Sequence, residues 1–173
     1  MSINAGLLIL RIVVGLMLAG HGAQKVFGWF GGTGMTGWTG AMSRMRIRPA
    51  VPWAWASALA ELLGGLAVAL GFLSPLGSFA IAGSMLVAIA LVHWPKGFWV
   101  SKGGYEFNLL IIATVVALAV IGPGAYSLDH LLRINLTQPV VLIVGILATV
   151  AGALLALTTR APLPAAETKP QTA

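Results

Sequence analysis

Long stretches of apolar residues alternate with short polar and glycine-rich segments along the chain. A helix that crosses the hydrocarbon core of a bilayer needs about 20 mostly apolar residues. Five stretches meet or approach this length, and we predict membrane-spanning helices over residues 5–27, 51–72, 76–94, 105–121 and 139–158. The apolar residues do not alternate with polar ones at a period of two, as they would in a membrane β-barrel. The pattern therefore predicts an all-α, polytopic bundle of transmembrane helices.

The spans together predict a single transmembrane domain over residues 1–159. Its first span begins without a basic segment and is interrupted by Arg11, so we interpret it as a retained helix and not as a signal peptide. The fourth span has the shortest strictly apolar run of the five. Residues 160–173 are polar and rich in proline, and they predict a disordered tail.

Lysine and arginine are distributed unevenly between the predicted loops. The loops after the first and third spans and the tail together contain Arg44, Arg46, Arg48, Lys96, Lys102, Arg160 and Lys169. The loops on the opposite side contain only Arg133. Because cytoplasmic loops of membrane proteins carry an excess of basic residues, we predict an N-terminus outside and a cytoplasmic C-terminus.

The composition excludes several classes of protein. Of the 173 residues, 58% are hydrophobic and 8% are charged, whereas about a quarter of the residues of a soluble domain are charged. This difference excludes a soluble enzyme and a disordered chain. The net charge of +6, from 10 basic and 4 acidic residues, marks the cytoplasmic loops and does not indicate a nucleic-acid partner. The absence of cysteine excludes thiol catalysis, iron–sulfur clusters and c-type haem attachment.

Polar side chains inside the predicted spans carry most of the functional information, because each is costly in hydrocarbon unless it is paired or hydrated. Arg11, His21 and Lys25 share one sector of the first helix. Counted from the outer ends of their spans, Arg11 lies about 9 Å deep and Glu61 about 16 Å deep. A flexible guanidinium can cover that difference, so we predict an Arg11–Glu61 pair, with a structural role or as a proton relay.

A second group of polar residues lies at the cytoplasmic ends of the first, third and fourth spans. The group consists of His21, Gln24, Lys25, His93, Glu106 and Asn108. If these ends meet laterally they form a wet pocket, and all but Gln24 are then candidate catalytic residues. The alternative is hydrogen bonding at the membrane interface. Two histidines and a carboxylate are the minimum for a metal site, and two histidines can ligate haem, but no tight spacing motif supports either; we predict no metal and no haem.

Several motifs resemble those of the DoxX family of small bacterial membrane proteins. They are, in chain order, LLILRIVVGLML around Arg11, HGAQKVFGWFGG from His21 to Gly32, ELLGG from Glu61 to Gly65, LVHWPKGFW around His93, GYEFN from Gly104 to Asn108, and GPGAYSLD from Gly122 to Asp129. The likeness covers about residues 5–130. It implies a four-helix core in a bacterial inner membrane, to which this chain adds a fifth, C-terminal helix.

The resemblance also implies a function, because some members of the family look like the membrane subunit of a thiosulfate:quinone oxidoreductase. We therefore expect a subunit of a quinone-linked oxidoreductase system, with quinone as the molecule it binds. The chain has no flavin or nicotinamide fingerprint, which leaves open whether it is an enzyme by itself. Its expected partners are the lipid bilayer, other membrane subunits or further copies of itself, and no nucleic acid.

Two other functions remain as alternatives. The first is a non-catalytic accessory or scaffold subunit of a larger membrane complex, for which the small-residue helix faces are suited. The second is transport of a small solute or ion through a path that includes Glu61. Transport has less support, because the sequence shows no inverted repeat and no clearly broken helix.

Overall fold

The computed structural model of the protein describes residues 3–162, which form helices and their connections. The helices are α1 (Ile3–Val26), α2 (Gly34–Arg44), α3 (Ala50–Leu70), α4 (Ser74–Ala88), α5 (Glu106–Ile121), α6 (Leu128–Leu131) and α7 (Pro139–Thr158). A π-helical turn over Ile89–His93 and a 3-10 turn over Trp94–Lys96 extend α4. The prediction of an all-α bundle is confirmed, and each predicted span coincides with a helix to within a few residues.

Within residues 3–162, four helices are long and apolar enough to cross a membrane, namely α1, α3, α4 with its extension, and α7. α5 is apolar but has 16 residues, which span about 24 Å at the usual rise of a helix. Large apolar side chains on the outside of the bundle are exposed, among them Ile9, Leu110 and Leu147. Such side chains contact lipid in a bilayer. The protein is a multi-pass membrane protein.

The connections between the long helices fall at two ends of the bundle, because consecutive long helices run in opposite directions. The basic end contains α2, the loop from Arg46 to Pro49 and the segment from Trp94 to Tyr105. The Asp129 end contains the turn between α3 and α4 and the segment from Gly122 to Gln138. Alternation of direction therefore brings the start of α5 beside the end of the extended α4.

At the basic end, the chain that follows α7 pairs with the loop that follows α2. The N–H of Arg48 donates to the carbonyl oxygen of Thr159 at 3.1 Å, and the N–H of Ala161 donates to that of Arg46 at 2.8 Å. The first residues of the tail predicted over 160–173 are thus held against this loop. Residues 163–173 lie outside the described residues.

α1 and α3 pack with little space between their backbones. A Cβ atom at Gly65 would lie 2.6 Å from the carbonyl oxygen of Gly15, and a Cβ atom at Gly22 would lie 2.6 Å from the Cβ of Leu62. Glycine is needed here because small residues let membrane helices approach this closely. These contacts set the antiparallel register of the pair, which places Ala23 opposite Glu61.

We expect Gly65→Ala to lower the thermal stability of the protein in detergent, because the new methyl group would overlap the backbone of α1. Overpacking of this kind costs about 1–3 kcal/mol. Gly20→Ala is the matched control, since a Cβ atom at Gly20 would meet no atom within 4 Å. An unchanged unfolding midpoint for Gly65→Ala would contradict the close crossing of α1 and α3.

Candidate functional site

A buried ion pair joins α1 to α3 within the membrane-spanning part of the bundle. The Nζ of Lys25 lies 2.5 Å from Oε2 of Glu61, whose side chain is only 3% exposed. The Oγ of Ser84 on α4 donates a hydrogen bond of 2.8 Å to Oε1 of Glu61. The ring centroid of Trp38 on α2 lies 4.3 Å from Nζ of Lys25, a cation–π distance. We call Lys25, Trp38, Glu61 and Ser84 the Glu61 cluster; four helices meet there.

The ion pair predicted between Arg11 and Glu61 is not formed. The register of α1 against α3 places Arg11 twelve residues from Ala23, the residue opposite Glu61. Twelve residues are about 18 Å along a helix axis, which is beyond the reach of a guanidinium. Lys25 lies only two residues from Ala23, and it forms the ion pair with Glu61. The prediction was wrong because the depths of Arg11 and Glu61 were counted from the helix ends, whereas the register of α1 against α3 depends on which glycines are in contact.

Arg11 instead belongs to a buried polar group at the Asp129 end. Its side chain, 1% exposed, donates from Nη2 to the carbonyl oxygen of Tyr126. Asp129, 3% exposed, accepts the N–H of Leu73 at 2.8 Å and the N–H of Ser74 at 3.0 Å. A carboxylate at this position caps the start of α4. The group therefore fastens the GPGAYSLD segment to α1 and to the turn between α3 and α4.

A cavity of about 700 Å³ opens at the basic end beside the Glu61 cluster. We call it the polar cavity, because its lining includes His21, Lys25, Trp38, Arg44, Glu61, His93 and Asn108. Four of the five candidate residues predicted from the sequence therefore line one cavity. Glu106 lies outside this lining, and its Oε2 is buried without a hydrogen-bond partner. Glu61 supplies the carboxylate of the cavity in its place.

The two histidines of the polar cavity are held differently. His93 ends the π-helical turn, and its Nδ1 donates to the carbonyl oxygen of Gly103 at 2.7 Å. Because a carbonyl only accepts, Nδ1 carries the hydrogen and Nε2 of the neutral ring is left as an acceptor. His21 is exposed and shares a hydrogen bond of 3.2 Å with Gln24 on its own helix. Within residues 3–162, no three His, Asp or Glu side chains are grouped so as to hold a metal ion.

Asn108 lines the polar cavity from the first turn of α5. Its Nδ2 donates to the sulfur of Met85 at 3.3 Å, and the residue is buried. A thioether is a weak acceptor, so the amide is only lightly held by the protein. Asn108 therefore keeps hydrogen-bonding capacity for a bound molecule.

A second cavity, of about 400 Å³, adjoins the Glu61 cluster and is lined by residues of α2, α3, α4 and α7. We call it the apolar groove, because most of its lining is aliphatic, aromatic or glycine. It shares Lys25, Trp38 and Glu61 with the polar cavity. Its lining residues Leu76 and Gly152 are exposed, so the groove opens on the outer face of the bundle. The Glu61 cluster thus contributes side chains to both spaces.

Sequence reasoning missed the roles of Trp38, Ser84 and Asp129. Ser84 was visible as a polar residue within a span, but its partner depends on how α3 and α4 pack. Asp129 lies in a loop, where an acidic residue is usually solvated, and only its place in the GPGAYSLD motif set it apart. Trp38 gave no signal of a contact with Lys25.

Comparison with known proteins identifies the family to which this architecture belongs. The family model described as DoxX matches residues 6–94. The chain belongs to the DoxX family. The DoxX match contains the whole Glu61 cluster and both histidines of the polar cavity, whereas Asn108, Asp129 and α7 lie beyond it. No solved structure matches the chain.

Two relatives align with most of the length of this DoxX protein. The chain is 32% identical over 134 residues to "Inner membrane protein YqjF" of Escherichia coli (strain K12). The aligned segment covers 75% of this chain and 94% of the relative. The chain is 30% identical over 128 residues to "Putative oxidoreductase CatD" of Bacillus subtilis (strain 168). The aligned segment covers 74% of this chain and 87% of the relative.

Proposed function

We propose that the protein is the quinone-binding subunit of a membrane-associated oxidoreductase system. The observation that carries this proposal is the Glu61 cluster, in which a partly buried ammonium and a buried carboxylate line both the polar cavity and the apolar groove. A quinone has two carbonyl oxygens that accept hydrogen bonds and an apolar chain, so it matches a site of this kind. The relative with the name "Putative oxidoreductase CatD" supports the same assignment.

The residues around the polar cavity supply what quinone reduction requires of a protein. Reduction of a quinone to a quinol takes up two electrons and two protons. Lys25 is the donor to one carbonyl oxygen, and Asn108 or a protonated His93 is the donor to the other. Glu61 and His93 are placed to relay protons. The electrons come from a partner subunit, because the sequence carries no flavin or nicotinamide fingerprint and no cysteine.

We further propose that the protein lies in a bacterial inner membrane with its basic end in the cytoplasm. Arg44, Arg46, Arg48, Lys96, Lys102 and Arg160 all belong to the basic end, and Arg133 belongs to the Asp129 end. The excess of basic residues on cytoplasmic loops supports this orientation. The relative named an inner membrane protein supports the location. Under this orientation the polar cavity opens toward the cytoplasm, which supplies the protons.

The test is quinone binding by the full chain in lipid nanodiscs, with decylubiquinone as the probe. We expect wild-type protein to bind it and the double variant Lys25→Met/Glu61→Gln to bind about tenfold more weakly, the effect of losing one charge-assisted hydrogen bond. The double variant removes both charges at once, so neither is left buried and unpaired.

His130→Ala is the control for this experiment, because His130 is exposed at the Asp129 end and far from both cavities. It should bind decylubiquinone as the wild type does. A folded wild-type protein that binds no decylubiquinone would contradict the proposal. If that protein also co-purified with a stoichiometric partner, the accessory-subunit function would be favoured instead.

A further inference from the structure

The apolar groove is bounded by α4 and by the parallel helix α7, which contributes small side chains. α4 and α7 run side by side, with Phe79 beside Gly145 and Gly83 beside Thr149. A Cβ atom at Gly152, one turn further along α7, would meet no atom within 4 Å. The bundle therefore leaves space between α4 and α7 that its own side chains do not fill.

The polar groups that line the groove are already bonded within the protein. Ser57 accepts from Nε1 of Trp38 at 2.9 Å and donates to the carbonyl oxygen of Ala54 at 3.1 Å. Thr149 donates to the carbonyl oxygen of Gly145 at 2.8 Å. Among the hydrogen-bond donors of this lining, only the ammonium of Lys25, with three N–H groups, keeps capacity for a further partner. The groove consequently accommodates an apolar chain and offers one polar contact, at the Glu61 cluster.

The polar contact at the Glu61 cluster limits what can occupy the groove. Glu61 lies eleven residues into α3 from Ala50, about 16 Å along that helix, and it lies opposite Ala23, three residues from the end of α1. The hydrocarbon part of a phospholipid acyl chain offers no hydrogen-bond acceptor to Lys25 at this position. A small ring with hydrogen-bond acceptors on a single apolar chain does.

We infer that the apolar groove holds the isoprenoid chain of the quinone, which enters sideways from the bilayer between α4 and α7. The quinone ring then lies at the Glu61 cluster and faces the polar cavity, while the chain stays in contact with α4, α7 and lipid. This inference rests on the proposed function for the identity of the ring. It adds the path of the chain and assigns a role to α7, the helix that lies beyond the matched family segment.

Gly152→Leu tests the path of the chain, because Gly152 lines the groove and a Cβ atom there meets no atom within 4 Å. We expect its affinity for decylubiquinone to fall about tenfold, as when about two methylene groups lose their burial. Its affinity for ubiquinone-0, which has the same ring and no chain, should be unchanged. Gly6→Leu is the matched control, because Gly6 is equally exposed on α1 and a Cβ atom there also meets nothing within 4 Å.

The outcomes separate the inference from the proposed function. Undiminished binding of decylubiquinone by folded Gly152→Leu would overturn the path of the chain and leave quinone binding intact. Failure of wild-type protein to bind either quinone would overturn both.

A second measurement uses wild-type protein and does not depend on the folding of a variant. A decylubiquinone analogue with a diazirine at the end of its chain should label peptides of α4 and α7 on irradiation. Labelling confined to α1 and α5 would overturn the inference. So would undiminished labelling of the residues that line the groove by a diazirine phospholipid in the presence of excess quinone, because it would assign the groove to lipid.

Discussion

Asp129→Ala should lower the free energy of unfolding by about 3–5 kcal/mol, the largest effect that we expect from any single truncation in the chain. The carboxylate accepts two backbone N–H groups, those of Leu73 and Ser74, at the start of α4. Its removal leaves both donors buried and unpaired, and each such donor costs about 1–3 kcal/mol. It also removes the negative charge that acts on the buried guanidinium of Arg11.

Thermal and denaturant unfolding in detergent, followed by circular dichroism, measures this loss. Asp129→Asn keeps one acceptor oxygen and should fall between the wild type and Asp129→Ala. His130→Ala, with its exposed side chain in the same short helix, should unfold as the wild type does. Equal midpoints for Asp129→Ala and His130→Ala would show that the carboxylate does not cap α4.

Lys25→Met should destabilise the protein more than the double variant Lys25→Met/Glu61→Gln does. The single change leaves the Glu61 carboxylate 3% exposed and without its cation, at a cost of about 3–5 kcal/mol. Replacing both residues by neutral ones removes the buried charge, and the double variant should recover most of that loss. Glu61→Gln alone should cost less than Lys25→Met, because Lys25 is 19% exposed and lies against the polar cavity.

A double-mutant cycle of unfolding free energies tests this order of stabilities. The coupling between Lys25 and Glu61 should be the largest for any pair in the bundle, since the two groups are in direct contact at 2.5 Å. If the losses of the two single variants simply add in the double variant, the ion pair is not formed in the folded protein.

The architecture was predictable from the sequence because each span depends on local properties. An apolar stretch of sufficient length forms a helix in hydrocarbon wherever its neighbours lie. The shared cavity of His21, Lys25, His93 and Asn108 was also within reach, because alternation of direction places these residues at one depth. The sequence does not show how the helices are arranged in the plane of the membrane. The absence of Glu106 from the lining of the polar cavity could therefore not be predicted.

The partners of the buried charges were beyond prediction because they depend on helix register. Gly15, Gly22 and Gly65 can be recognised as packing residues in the sequence, but which of them meet across the crossing is a property of the fold. A shift of one helical turn changes the residue opposite Glu61. Asp129 presented the same difficulty, since the N–H groups that it caps are more than fifty residues away along the chain.

The attachment of α7 has a consequence for biosynthesis. The ribosome completes α1, α3, α4 and α5 before it makes α7, so the polar cavity can form while the last helix is still in the exit tunnel. The apolar groove acquires its second wall only when α7 enters the bilayer and its far end pairs with Arg46 and Arg48. The two walls of the groove are thus made at different times, and the backbone pairing of Thr159 and Ala161 joins the end of the last helix to the loop after α2.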